Sequence, residues 1–453
     1  MRSALIVVAT LAALLGGCAS PPVALAPPEV GIRYITIGTD AIATAREVAG
    51  DHASFEVLEA GAEVAVLAVD AADLEALSEQ MHEQHSRCGG FVLHESIDEA
   101  RAAARDVDDD DARGQSAVAV DYTIDQGASV HLAMAALDRR VIVDTIRTLS
   151  AMPNRHYRSA TGAEASLWLR DRWRGLTTRT DVTVELFDHG YPQQSVILTI
   201  PGRARAGEIV VLGAHLDSIA LGGSASTAPG ADDDASGIAT LTEIARVLLA
   251  ADYRPARTVQ FMAYAAEEVG LRGSQGIVRA YKQRKVNVVG ALQLDMTNYQ
   301  GSEKDIWLMK DFTNAAQNTF LTELIETYVG ATWGLDACGY ACSDHAAWYR
   351  AGVPASMPFE SRMSQRNKSI HTSKDTLETS GNNAAHALKF ARLGIAYAIE
   401  LAKGELAPAT TAAAAPYSPR QVSWGLLAAF ASLGLLGAGA WLSRVALRGI
   451  SLR

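Results

Sequence analysis

The 453-residue chain has no sustained stripe of lysine or arginine, few cysteines, and no internal repeat at a period of about 20–50 residues. Without a repeat, solenoid and propeller architectures drop out. A net charge of −11 with no basic patch leaves out the electrostatic footprint that nucleic-acid binding requires, so no nucleic-acid partner is expected. Cys338 and Cys342 stand close in sequence, but there is no second cysteine pair to complete a cysteine-based metal site. What is present is a globular composition, 49% apolar, in a chain longer than the usual single core. One large domain with smaller pieces is expected.

Both ends read as targeting segments. Residues 1–20 form a signal peptide: Met1-Arg2 leads into the apolar run Ala4–Leu15, which is too short to span a bilayer. Leu15-Gly16-Gly17-Cys18 resembles a lipobox, which would place a lipid on Cys18; an ordinary signal peptide that contains a cysteine is the alternative. Residues 404–423 read as a linker, and 424–453 as a transmembrane or sorting segment. Trp424–Leu442 carries no charge and is followed by Arg444, Arg448 and Arg453, so the positive-inside rule puts everything before it outside the cytoplasm. The expected location is the periplasmic or extracellular side, membrane-anchored or released after processing.

Between these ends, residues 21–130 predict a small α+β segment with strands at Ile32–Ile37, Val64–Val69 and Gly90–His94 and a helix at Ala71–His85. The stretch Arg105–Arg113, with Asp106 and Asp108 to Asp111, is a like-charge block that predicts a solvated linker open to proteases. The N-terminal segment therefore reads as a propeptide, with a permanent accessory domain as the alternative. From 138 to 403 strands alternate with helices, which predicts an α/β fold: a mixed, centrally parallel sheet with helices on both faces.

Three predicted strands each deliver a polar residue at their carboxyl ends, where open α/β sheets bind ligands. His215 follows Ile209–Gly213, Glu267 and Glu268 follow Thr258–Tyr264, and Asp295 follows Val288–Leu294. Asp232, Asp233 and Asp234 precede a helix beginning at Ala235; three acids beside a cleft repel one another unless a cation compensates them. With the late His371, the inventory is two histidines and three acids, plus one further glutamate. Nitrogen and carboxylate donors of this kind suit zinc, and the count suits two ions sharing a bridging carboxylate.

The segments Ala228–Gly237, Phe261–Gly270, Leu292–Tyr299 and Cys338–His345 resemble those of the secreted bacterial leucyl aminopeptidases of the co-catalytic dizinc family, and the likeness covers about 138–403. The resemblance implies a zinc-peptidase-like fold and hydrolysis of the N-terminal bond of peptides with a free N-terminus, preferring apolar, Leu-like residues. It implies that Asp233 bridges two zinc ions, that Glu268 and His371 complete one site, and that His215 and Asp295 complete the other. Asp217 would then accept from the other nitrogen of His215, and Glu267 would serve as general base. The resemblance gives an apolar pocket of Met296, Met309, Tyr340, Met357, Phe359 and Ile370, while Met363 and Arg366 stand where the family has aromatic residues. Export favours a Cys338–Cys342 disulfide, and the resemblance agrees, placing it beside the pocket. Cys88 is left over and reads as an ordinary buried thiol. A monomer is expected. Two other readings share the fold: a non-catalytic binding module, and a glutaminyl cyclase-like enzyme.

Overall fold

The computed structural model describes residues 29–108, 120–221 and 225–406. The export signal with Cys18, the acidic stretch beyond Asp108, and Trp424–Leu442 lie outside the described residues. Among the described residues, no helix is long and apolar enough to cross a membrane.

The N-terminal part contains strands β1 (Ile32–Gly38), β2 (Glu56–Ala60), β3 (Val64–Asp70) and β4 (Phe91–His94), and helices α1 (Ile42–Ala49), α2 (Leu74–His85) and α3 (Ile97–Asp108). The strands form an antiparallel sheet in the order β2-β3-β1-β4. Alternation along β3 assigns its two faces: Ala65, Leu67 and Val69 pack with Leu74, Leu77 and Met81 of α2, while Val66 packs with Ala100 and Ala104 of α3. This corrects the expected linker at Arg105–Arg113. Its first residues continue α3, because burial of the alanine stripe outweighs the acidic helix end. The sequence pattern also passed over α1 and β2.

The larger part runs α4 (Gly127–Ala135), α5 (Arg139–Ser150), α6 (Ala160–Arg174), β5 (Thr183–Phe187), β6 (Ser195–Ile200), β7 (Arg205–His215), α7 (Ala235–Ala250), β8 (Arg257–Tyr264), α8 (Arg272–Gln283), β9 (Asn287–Gln293), β10 (Ile306–Met309), α9 (Ala315–Leu324), β11 (Trp333–Asp336), α10 (His345–Arg350), β12 (Ala355–Ser356), β13 (Pro358–Phe359) and α11 (Ala387–Ala402). Its main sheet has the order β12-β9-β7-β8-β6-β5. The four strands from β12 to β8 are parallel, and β6 and β5 add on antiparallel. Every residue of β8 is buried, as expected of a central strand covered on both sides. Val259, Phe261 and Ala263 face the helices α5, α7 and α11, whereas Met262 and Tyr264 face α8 and α10. The mixed, centrally parallel sheet with helices on both faces is therefore as the sequence predicts. This core begins before residue 138: Val120, Tyr122 and Ile124 pack against it, and the amides of Asp125 and Gln126 both donate to Glu400, each at 2.9 Å.

Candidate metal centre

The carboxyl ends of β7, β8 and β9 meet the amino end of α7, and the predicted site residues converge there. His215 is the last residue of β7. Glu267 and Glu268 lie in the turn after β8, Asp295 lies two residues past β9, and Asp233 lies just before α7. His371 arrives from the long connection after β13. All six are buried.

Asp233 stands between the two histidines. One carboxylate oxygen is 2.9 Å from His215 Nε2 and the other is 3.2 Å from His371 Nε2. Around this bridge, Asp295 lies 3.5 Å from His215 Nε2 and Glu268 lies 2.7 Å from His371 Nε2. The grouping is the one the family resemblance implied. Asp234, its neighbour across a cis peptide bond, is otherwise engaged. Its carboxylate caps α7 through the Gly237 amide (2.9 Å) and accepts from the amides of His215 and Met296 (both 3.1 Å), tying three loops together.

Asp217 stands beside the nitrogen it was expected to hold and also supports the next turn. It lies 3.4 Å from His215 Nδ1, but its two oxygens accept the amides of Glu267 (3.0 Å) and Glu268 (3.1 Å). It thus fixes the turn that carries the general-base candidate. Three supporting residues escaped sequence reasoning. Arg155, fully buried, donates to the carbonyls of Leu216, Pro229 and Gly230. Asp375 accepts the amides of Asp232 and Asp233, and Glu360 accepts the amide of Tyr299. They act through backbone atoms, so no spacing pattern announces them. Met296 and His371 are non-glycine residues at φ +59° and +55°, strain of the kind that packing sustains at functional sites.

The chemistry of the donor set fits divalent cations. Apart from their contacts with one another, Asp233 Oδ2, both oxygens of Glu268, Glu267 Oε2 and His371 Nε2 are buried without a hydrogen-bond partner. Buried polar atoms left so are rare, and a cluster of them marks a place where a ligand is missing from the count. The electrostatics agree. Burial raises Glu268 to about 7, reinforced by the charge of Asp233. Glu267 is pushed well above the usual carboxyl range, first by burial and then by Asp295 and Glu268. Burial works against protonation of His215 and His371, yet the neighbouring carboxylates raise both imidazoles well above 6.5. The cage calls for positive charge at its centre, and a metal ion supplies it while occupying the orphaned donors.

Beside the centre, Met296, Met309, Met357, Phe359 and Ile370 form one buried apolar cluster with Trp307, which the sequence did not single out; Tyr340 and Met363 pack at its margin. The Cys338–Cys342 disulfide is present at this pocket. Cys88 is not an ordinary core thiol. It is half-buried, packs against the same cluster, and comes from the N-terminal part.

Residues 195–395 match the family described as Peptidase family M28. The leucine aminopeptidase 1 of Ajellomyces capsulatus is 35% identical over 306 residues, covering 64% of this chain and 78% of the relative. The chain belongs to peptidase family M28. The leucine aminopeptidase 1 of Uncinocarpus reesii is 40% identical over 268 residues, covering 56% of this chain and 67% of the relative. Among solved structures, LapB from Legionella pneumophila is 30% identical with a TM-score of 0.71, covering 82% of this chain and all of that one. The LapA aminopeptidase of the same bacterium is 27% identical with a TM-score of 0.70. The likeness thus extends to fungal members as well as to the bacterial ones that the motifs suggested.

Proposed function

We propose that this M28 chain is an exported aminopeptidase that uses two zinc ions to remove Leu-like residues from the N-termini of peptides. The observation that carries the reading is the arrangement of Asp233 between two imidazole–carboxylate pairs, His215 with Asp295 and His371 with Glu268. Those five residues would hold the ions, which would supply Lewis acidity toward water and the scissile carbonyl. Glu267 takes the proton from the attacking water at its unpartnered Oε2 and returns it to the nitrogen of the leaving amine as the C–N bond breaks. Asp217 holds the Glu267 turn in place through the two backbone amides. The cluster of Met296, Met309, Met357, Phe359 and Ile370 receives an unbranched or γ-branched apolar side chain. The leucine aminopeptidases among the relatives support this substrate class.

The N-terminal part, residues 29–108, serves as a restraining pro-segment in this reading, and Trp424–Leu442 retains the mature enzyme at the membrane until it is cut. Purified protein incubated with leucine p-nitroanilide should release the chromophore, lose that activity to a chelator and regain it with zinc. Activity that survives complete metal removal would refute the proposal.

A further inference from the structure

We propose that Cys88 is an inhibitory metal ligand, a thiolate that the N-terminal part inserts into the proposed metal centre at the His371 side. The inference rests on the two-metal reading and adds a donor that the five-residue set lacks. Cys88 Sγ, an oxygen of Asp233 and a ring nitrogen of His371 all lie within 4.8 Å of one another, a spacing that one ion can span. His371 is nine-tenths buried, and the carboxylates of Glu268 and Asp233 lie 2.7 and 3.2 Å from its Nε2, so the thiol faces a cluster of buried donors that an ion would hold together.

The loop that carries Cys88 is built to present it. Gly89 and Gly90 follow at φ +55° and +74°, a left-handed turn that other residues enter only with strain. A Cβ on Gly90 would also meet the Met81 side chain at 2.7 Å. The catalytic part holds the loop from both sides. The amide of Cys88 donates to the Tyr340 hydroxyl (2.8 Å), and Arg366 donates to the Ser86 carbonyl (2.6 Å). Arg366 is one of the two pocket positions at which the family resemblance implies an aromatic residue, and its contact with Ser86 gives the arginine a use. Behind the loop, Ser78 donates to the Glu268 carbonyl (2.7 Å), and the His82 ring lies 4.4 Å from that of His371.

Such a thiol blocks the enzyme twice. Its sulfur takes a coordination position on the ion held by Asp233, Glu268 and His371, releasing its proton to solvent as the metal–sulfur bond forms. Its loop also lies against the apolar pocket, where the substrate's first side chain would sit. Activation then requires only that the loop withdraw, which breaks the metal–sulfur bond, returns a proton to the thiol and frees the pocket.

Zinc X-ray absorption on the zinc-loaded, full-length chain tests this. A sulfur neighbour at about 2.3 Å is expected beyond the nitrogen and oxygen shell at about 2.0–2.1 Å, and Cys88→Ser should abolish it while zinc content is unchanged. The intact Cys88→Ser chain should also hydrolyse leucine p-nitroanilide faster than the intact wild type. A shell of nitrogen and oxygen alone around bound zinc in the wild type would overturn the proposal, whatever the variant does. Failure of the wild type to retain zinc at all would instead overturn the two-metal reading, and this inference with it.

Discussion

Replacing Glu267 with glutamine isolates the base from everything else at the site. The substitution keeps shape and removes one charge. Its structural cost is small, because Glu267 is anchored by its amide on Asp217 at 3.0 Å and its Oε2 has no partner to lose. The five proposed ligands remain untouched, so metal content and unfolding temperature should match the wild type. Activity should not. A glutamine amide cannot take the proton from water, and loss of a general base lowers kcat by about 10²–10⁴-fold, or about 2.7–5.5 kcal/mol in the barrier. Since the carboxylate acts only on the reacting atoms, KM should change little. The assay is steady-state hydrolysis of leucine p-nitroanilide on the activated enzyme, with zinc measured on the same dialysed samples. Two results would refute the reasoning: activity within tenfold of the wild type, or loss of zinc together with activity, which would make Glu267 a ligand.

Further variants probe the support of the site. Asp233→Asn should weaken both metal sites together, since one carboxylate faces both histidines; two tightly held zinc ions in that variant would sink the bridging assignment. Arg155→Met should destabilise the fold by about 3–5 kcal/mol in chemical denaturation by leaving the buried carbonyls of Leu216 and Pro229 unpaired and removing one of two donors to that of Gly230, and a loss under 1 kcal/mol (roughly a surface-substitution effect) would contradict that. Burial opposes ionisation of Asp305, but Lys389 and the amide and hydroxyl of Thr332 hold it down to about 2. Its folded value is depressed, so its stabilisation is full above a pH of about 4 and fades as pH falls toward 2. Asp305→Asn should cost about 1 kcal/mol at pH 7, after solvent screening, and less at pH 3; a gap independent of pH would refute the assignment.

The proposed site residues are legible because the fold repeats one device. His215, Glu267, Glu268 and Asp295 each follow a run of β-branched and apolar residues, so strand ends could be located and the residues beyond them assigned to one edge of the sheet. Asp233 needed the family motif, since three successive acids cannot be ranked from sequence. The structure ranks two of them by what they face: Asp233 faces two imidazoles, whereas Asp234 is spent on three amides. Arg155, Asp375 and Glu360 were illegible for the opposite reason. Their partners are backbone atoms brought near by tertiary folding, and residue type says nothing about which carbonyl or amide a side chain will meet. The end of α3 departs from the sequence expectation because packing of Ala100 and Ala104 against Val66 outweighs local charge repulsion.

The meaning of Cys88 is bound to the way the N-terminal part is stabilised. That part has its own core, in which Ile35, Leu67, Leu77 and Met81 are enclosed by its own strands and helices. Its contacts with the catalytic part are mixed: Val92 packs with Leu271, Ala346, Phe312 and Ala341, and polar pairs accompany that apolar patch, Ser78 to a carbonyl, Arg366 to Ser86, Glu75 to Arg158 at 2.7 Å, and Glu29 to Arg272 at 2.8 Å. Polar pairs at a partly exposed interface contribute little each and exchange readily for water. In the proposed reading, a metal–sulfur bond at Cys88 would add strength at one point of this interface. In the proposed reading, a core of its own, a mixed interface and one strong ligand at Cys88 describe a segment able to hold the enzyme and to leave as a unit.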